Sequence, residues 1–455
     1  MTLRAIAVAA VLCAALVPSP ALAADPPSQT PIKHLLFLLQ ENHSFDNYFG
    51  TYPNADGIPP DVCMPLDPTQ PSLGCVKPYA VGGQPITDLL HNRETFVAQY
   101  LNGRMNGFVS AHRQLGGSHA EEIARFAMGH YDDSDLPYYW NVANEYVLFD
   151  RFFSSAAAGS FMNHMYWVSA GPGDPNHDSP PVAGFGDDLL TIFDRLEAAG
   201  ISWKFYVQNY DPKLNYRTLA NAGDKAAQAV FVPLLDINRF IDDPNLASHI
   251  VDVEQYYTDL RNGTLPTVAY MAPLGSSEHP PGSLQAGQRF VQTLINGLMR
   301  SDYWNSSAFL WAYDDWGGWY DHVAPPQVDQ YGYGFRVPAL LVSPYAMRGK
   351  INSTTLDFTS VLKFIEENWG VAPLSTRDGS ATSIVSAFDF TSPPRAPAFL
   401  PASRITAAPA EPNRAVLYAA YAAAIVVGLG LLVIAVGPAL LGRLMARRRP
   451  LQGEP

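Results

Sequence analysis

Five short, mainly apolar runs constrain this 455-residue chain more than any other feature. They span 35–39, 203–207, 268–271, 308–313 and 339–342, and polar, Gly or Pro residues close each one. Sustained apolarity, in place of strict alternation, marks strands covered on both faces, as in a parallel sheet. Helical stretches fall between them at 189–199, 287–300 and 358–369, the alternation that puts helices on both sides of a sheet. The expected fold class is α/β, a three-layer αβα sandwich. With 47% hydrophobic and only 16% charged residues, the chain has material for one large core, and a disordered chain is excluded. Its net charge of −13 argues against nucleic acid as a partner, since that needs a basic surface.

The two ends read differently from the body. Arg4 precedes an apolar run over 5–17, and Ala21-Leu22-Ala23 supplies small residues for cleavage, so 1–23 is expected to be a signal peptide. The uncharged stretch 415–441, followed by Arg443, Arg447, Arg448 and Arg449, is expected to be a C-terminal transmembrane helix, with 442–455 as a short basic cytoplasmic tail. A Pro- and Ala-rich stalk over 393–414 would join it to an extracytoplasmic domain over 24–392. The expected location is the cell membrane, as a single-pass protein with its C-terminus cytoplasmic. Cys13 would leave with the signal, so Cys63 and Cys75 remain as the expected disulfide.

Ligands in such a sheet gather beyond the carboxyl ends of the strands. Two of these ends are acidic: Gln40-Glu41-Asn42-His43-Ser44-Phe45-Asp46 after 35–39, and Asp314-Asp315-Trp316-Gly317-Gly318-Trp319-Tyr320-Asp321-His322 after 308–313. Adjacent carboxylates repel unless solvated, hydrogen-bonded or neutralised by a cation, so with Glu41 and Asn42 they suggest an all-oxygen metal site. Either segment alone also reads as solvated loop acids.

The segment from His34 to Gly50 is similar to the opening signature of the phosphoesterase family that contains bacterial and plant phospholipases C and bacterial acid phosphatases. Ser160-Phe161-Met162-Asn163-His164, Glu278-His279-Pro280-Pro281, the run from Asp314 to Pro326, Phe335-Arg336-Val337-Pro338 and Asp357-Phe358-Thr359-Ser360 resemble its later motifs in the same order. The resemblance covers most of 32–369. It implies the alkaline phosphatase fold, a divalent metal ion held by Glu41, Asn42, Asp314 and Asp315, and Ser160 as a nucleophile that passes through a phosphoserine. A hydroxyl is a weak nucleophile at neutral pH, and metal coordination favours its ionised form. Threonine is commoner at this position in the family, and either alcohol keeps the reaction available. Outside the resemblance, Ser160 also reads as an ordinary helix cap.

Among the histidines, His279 lies in a matched motif and suits proton donation to a leaving oxygen or contact with a phosphate oxygen. His322 also lies in a motif, with a structural hydrogen bond in its own turn as the alternative, and His112 resembles a family position loosely. Asn163 and His164, one turn beyond Ser160, either face the same phosphate as substrate-binding residues or cap and pack. His91, His119 and His130 read as surface or core residues. The chain has no His-Glu-x-x-His, Gly-x-Ser-x-Gly or Gly-Lys-Ser/Thr phosphate loop, so zinc peptidase, serine esterase and nucleotide hydrolase readings fall. The expected activity is phospholipase C-like cleavage of glycerophospholipids. Acid phosphatase action on monoesters is the alternative, and a non-catalytic binding ectodomain is a third reading.

Overall fold

A computed structural model describes residues 27–405 except 83–85, 116, 118, 119, 175–178 and 180. All five predicted runs lie in one eight-stranded sheet. In chain order its strands are β1 (His34–Gln40), β2 (Val147–Phe149), β3 (Trp203–Val207), β4 (Ile250–Asp252), β5 (Val268–Ala272), β6 (Ser307–Tyr313), β7 (Ala339–Val342) and β8 (Lys350–Asn352). They are arranged β8-β2-β7-β6-β1-β5-β3-β4. β1 pairs in parallel with β6 and β5, and the parallel run continues through β3 to β4. β7 departs from the all-parallel expectation, because it runs antiparallel to both β6 and β2. Burial on both faces makes a strand apolar whichever way it runs, so apolarity carries no direction.

The helices that matter for the site and the layers are α1 (Phe45–Phe49), α2 (Pro137–Glu145), α3 (Ser160–Ser169), α4 (Ile192–Ala199), α5 (Ala227–Phe231), α6 (Glu254–Asn262), α7 (Leu284–Met299) and α8 (Phe358–Trp369). Side chains alternate across a strand, and their contacts assign the layers. Phe37 of β1 meets Trp167 of α3 and Phe358 of α8, while Phe205 of β3 meets Phe193 of α4. On the opposite face Trp311 of β6 meets Tyr139 of α2, and Tyr206 of β3 meets Tyr256 of α6, whose hydroxyl donates to Leu294 of α7. The result is the expected αβα sandwich. Its central strands β1, β5, β6 and β7 are buried along nearly their whole lengths.

The membrane expectation needs correction. The stretch 415–441 and the expected signal over 1–23 lie outside the described residues, and among the described residues no helix is long and apolar enough to cross a membrane. The described fold is the αβα body without a spanning helix, and it does not support a single-pass membrane location. Chain contacts separate a unit ending at Arg404 from residues 405–455. Within that unit the described part of the expected stalk is held down: Trp304 donates to the Arg395 carbonyl, Gln292 to Leu400, and Asn141 to Ser403. Cys63 and Cys75 form the expected disulfide.

Candidate active site

The register of β1 against β6 pairs Gln40 with Tyr313, so the residues that follow, Glu41 and Asp314, leave the sheet side by side. The Asp314 amide donates to the Gln40 carbonyl at 2.9 Å, and the Asn42 amide donates to Asp314 Oδ1 at 3.0 Å. Asn42 bends the chain through a left-handed conformation (φ 61°), which Asn tolerates better than most residues. Gly317, at φ 60°, packs so closely beneath it that a Cβ there would lie 2.1 Å from the Asn42 carbonyl oxygen. The Gly317 amide donates to Asp315 Oδ1 at 2.7 Å. Three carboxylates and an amide are thus gathered at the ends of neighbouring strands, and all four side chains are buried.

Ser160 reaches the same point from another direction. It opens α3 behind Gly159, whose backbone lies so close to the His91 carbonyl that a Cβ would come within 2.9 Å. Ser160 Oγ donates to Asp315 Oδ2 at 3.2 Å and lies 3.4 Å from Asn42 Oδ1. Amides of the first helical turn have no intrahelical acceptor and favour an anion.

The electrostatics of this cluster are lopsided. Burial first, then the charges of Asp314 and Asp315, hold the Glu41 carboxyl well above its usual range. Burial and the Asp314 charge do the same to Asp315. The basic side chain in contact is His164, whose Nε2 donates to Glu41 Oε1 at 2.9 Å and lies 3.7 Å from Asp314 Oδ2. Burial pushes that imidazole down to about 4, so it is neutral near pH 7 and compensates none of the negative charge. The Asn42 amide oxygen sits 2.9 Å from Asp314 Oδ1 and 3.2 Å from Glu41 Oε2, acceptor against acceptor. Turned over, the amide would donate to both carboxylates. A cation among these oxygens would instead hold it as it stands, with its nitrogen on His91 Nε2 at 3.1 Å. The donor set of carboxylates, amide oxygen and hydroxyl fits a hard divalent ion.

A cleft of about 730 Å³ opens beside this cluster. Glu41, Ser160 and His279 line it, together with Asp88 and His91. His91 Nδ1 donates to the Leu89 carbonyl at 2.6 Å and His279 Nδ1 to the Pro280 carbonyl at 2.7 Å. Because a carbonyl only accepts, both rings keep Nε2 for the Asn42 amide and the cleft, and the ring centroids are 5.8 Å apart. His91 was not expected here. It arrives just ahead of the helix Arg93–Tyr100, in a segment between α1 and α2 that matches none of the motifs, and the chain offers no local signal for it.

The other predicted residues do not line the cleft. Asn163 spends its amide on the backbone of 156, 158 and 159, shaping the turn that presents Ser160. His164 faces the carboxylates and stacks on Phe231 of α5. His112 is buried with Nε2 on the Gly318 carbonyl at 3.1 Å, and burial lowers it to about 4. None of the three lines the cleft. His322 belongs to a separate buried network: Nδ1 donates to Asp46 at 2.7 Å and Nε2 to Asp56 at 3.2 Å, while Arg336 binds Asp46 at 3.0 Å and Asp321 at 2.9 Å. Burial alone would lower His322, but the hydrogen bond and charge of Asp46, then the charge of Asp321, outweigh it and hold the imidazole above its ordinary value. Glu278 completes the surroundings. Its carboxyl accepts from Tyr48, Tyr139 and Tyr313 at 2.5–2.6 Å, and burial raises it to about 7 against the pull of those bonds.

The phosphoesterase family profile matches residues 32–372. The chain belongs to the phosphoesterase family. Among curated relatives, phospholipase C B of Mycobacterium tuberculosis is 29% identical over 80% of this chain and 79% of its own. The non-hemolytic phospholipase C of Pseudomonas aeruginosa is 26% identical over 80% of this chain and 58% of its own. Non-specific phospholipase C3 of Arabidopsis thaliana is 26% identical over 71% and 65%. A solved structure from the alkaline phosphatase superfamily of Vibrio parahaemolyticus aligns with 79% of this chain and 73% of its own at 13% identity, with a TM-score of 0.37. As a phosphoesterase the protein is a hydrolase acting on phosphoester bonds.

Proposed function

We propose that this phosphoesterase is a phospholipase C-like, metal-dependent enzyme acting through a phosphoserine at Ser160. The observation that carries the reading is the Ser160 hydroxyl itself, donating to the buried Asp315 at the mouth of an open cleft and at the start of a helix. Glu41, Asn42, Asp314 and Asp315 would hold the divalent ion, which when bound would supply positive charge for the phosphoryl oxygens and for the ionised serine.

The residues supply the rest. Ser160 Oγ attacks phosphorus, its proton passing to the Asp315 carboxylate to which the hydroxyl already donates. The ester bond to the diacylglycerol oxygen breaks, and protonated His279 delivers a proton from Nε2 to that alkoxide. Water then attacks the phosphoserine and gives a proton back to His279. The P–Oγ bond breaks, Asp315 returns its proton to Ser160, and the phosphorylated headgroup leaves. His91, whose Nε2 also faces the Asn42 amide, suits a contact to a phosphate oxygen.

A phosphodiester fits the cleft better than a monoester. A monoester dianion calls for strong positive charge, and among the described lining residues none is Lys or Arg, while Leu90, Phe161, Val230, Phe231 and Leu274 form an apolar wall. The Cys63–Cys75 bond fits a protein working in an oxidising compartment outside the cytoplasm. The test is product analysis with purified protein, phosphatidylcholine vesicles and p-nitrophenyl phosphate, each with and without a chelator. Chelator-sensitive release of diacylglycerol is expected. Cleavage of the monoester alone would refute the diester reading and leave the phosphatase alternative.

A further inference from the structure

We infer that Glu278 is a positioning residue: its buried carboxyl fixes the loop that carries His279 and so sets that ring against the acidic ends of β1 and β6. The inference rests on the phosphodiesterase reading and on His279 as the proton donor to the leaving oxygen. His279 has little of its own to hold it. Its side chain is 35% exposed, and its Nδ1 donates to the Pro280 carbonyl of the same loop, so the ring goes where the loop goes. Ser277 and His279 line the cleft, whereas Glu278 between them is fully buried and does not.

Four elements close on that carboxyl. Tyr48 of α1 and Tyr313 of β6 donate to Oε2 at 2.5 and 2.6 Å, and Tyr139 of α2 donates to Oε1 at 2.5 Å. Gly287 of α7 packs so near that a Cβ there would lie 2.0 Å from Oε1. The backbone is tied as well, since the Glu278 amide donates to Gln40 Oε1 at 3.2 Å. Gln40 and Tyr313 are partners in the β1–β6 register, and they directly precede Glu41 and Asp314. Glu278 thus ties the His279 loop to the two residues that also place the oxygen cluster. Burying a carboxyl and three phenols costs free energy that a well-packed apolar cluster would not, and what the directional bonds give in return is a single geometry. For a proton donor that matters, because a displacement of about 1 Å can cost about 100-fold in rate.

The experiment compares two phosphocholine esters that differ in the leaving group. A water-soluble short-chain phosphatidylcholine releases a diacylglycerol alkoxide that needs a proton, and p-nitrophenylphosphorylcholine releases a phenolate that leaves without one. The full chain is used as wild type, Glu278→Gln, Tyr139→Phe, His279→Ala and the double variant of Glu278→Gln with His279→Ala, at saturating divalent metal. The readout is the ratio of kcat/KM for the two esters in one preparation, which is independent of how much of each variant folds. A merely structural role, or loss of metal, would lower both rates together and leave the ratio alone. His279→Ala should lower the lipid-to-phenyl ratio about 100-fold and Glu278→Gln about 10-fold, while Glu278→Gln should move it no further once His279 is Ala. Tyr139→Phe, which removes one of the three bonds from outside the cleft, should lower the ratio about threefold, and it carries the test should Glu278→Gln not fold. An unchanged ratio in Glu278→Gln, or in Tyr139→Phe where Glu278→Gln does not fold, would overturn the assignment, as would a further shift in the double variant. An unchanged ratio in His279→Ala would overturn the proton-donor role and this assignment with it. Cleavage of neither ester by the wild type would overturn the phosphodiesterase reading and the assignment together, so the wild type and His279→Ala separate those failures from a failure of Glu278 alone.

Discussion

Replacing Asp314 with Asn should change the stability of the protein in opposite directions with and without metal. In the chelated protein, Asp314 stands within 4.8 Å of a Glu41 oxygen, and two full charges about 4 Å apart repel by about 4 kcal/mol at an effective dielectric near 20. Burial raises Glu41 and Asp315, so protonation already relieves part of this repulsion, and the gain from removing one charge is on the order of 1–4 kcal/mol. Asn keeps an oxygen to accept from the Asn42 amide, so the turn should survive. A body of this size shifts its Tm by about 1 °C per kcal/mol, and Asp314→Asn should melt about 1–4 °C above wild type in a chelator. With a divalent ion at about 100 times its Kd, the wild type should gain about 3 kcal/mol, and the variant should gain little. Thermal melts of both proteins, with metal content by elemental analysis, test this. Equal destabilisation of the variant in both conditions, or full metal occupancy in the variant, would refute the assignment of these carboxylates as metal ligands.

Further outcomes follow from other parts of the molecule. Gly317→Ala should lose about 3 kcal/mol or more, from left-handed strain plus a Cβ contact of 2.1 Å with Asn42, whereas Gly370→Ala, at φ 69° with open space, should lose only about 1 kcal/mol; urea denaturation compares them. Because the folded His322 is held above its ordinary value, its contribution should be complete below the unfolded value near 6.5 and disappear as pH rises through the folded one. The stability gap between wild type and His322→Ala should therefore be wide at about pH 5.5 and narrow in alkali. Replacing Cys63 and Cys75 together with Ser should cost about 3 kcal/mol, since the bond closes a loop with a sequence separation of 12 and restricts the unfolded chain; denaturation of the double variant measures it.

What the sequence revealed and what it concealed follow from distance along the chain. The runs at 35–39, 308–313 and 268–271 were readable as strands because both their faces are covered, and the residues directly after the first two carried the acids to a shared edge. The strands Val147–Phe149, Ile250–Asp252 and Lys350–Asn352 were too brief to stand out, and the last two also mix polar with apolar residues. Ser160 and Glu41 were readable through motifs. Asp88 and His91 reach the same cleft by a tertiary route that no local pattern encodes. His164 illustrates a subtler limit: its spacing from Ser160 places it near the site, but only the packing of α3 against the strand ends turns its ring to Glu41 and Asp314. The apolar stretch at 415–441 satisfies a hydropathy rule and lies outside the described residues, among which no helix is long and apolar enough to cross a membrane.

The covalent step is the centre of the account, and acid quenching during turnover tests it most directly. Purified protein is mixed with p-nitrophenylphosphorylcholine, quenched within the first turnovers, and mapped by peptide mass spectrometry. A phosphorylcholine adduct on Ser160 in the wild type, absent from Ser160→Ala together with all turnover, is the predicted result. Ordinary turnover by Ser160→Ala, with no adduct on Ser160 in the wild type, would contradict it.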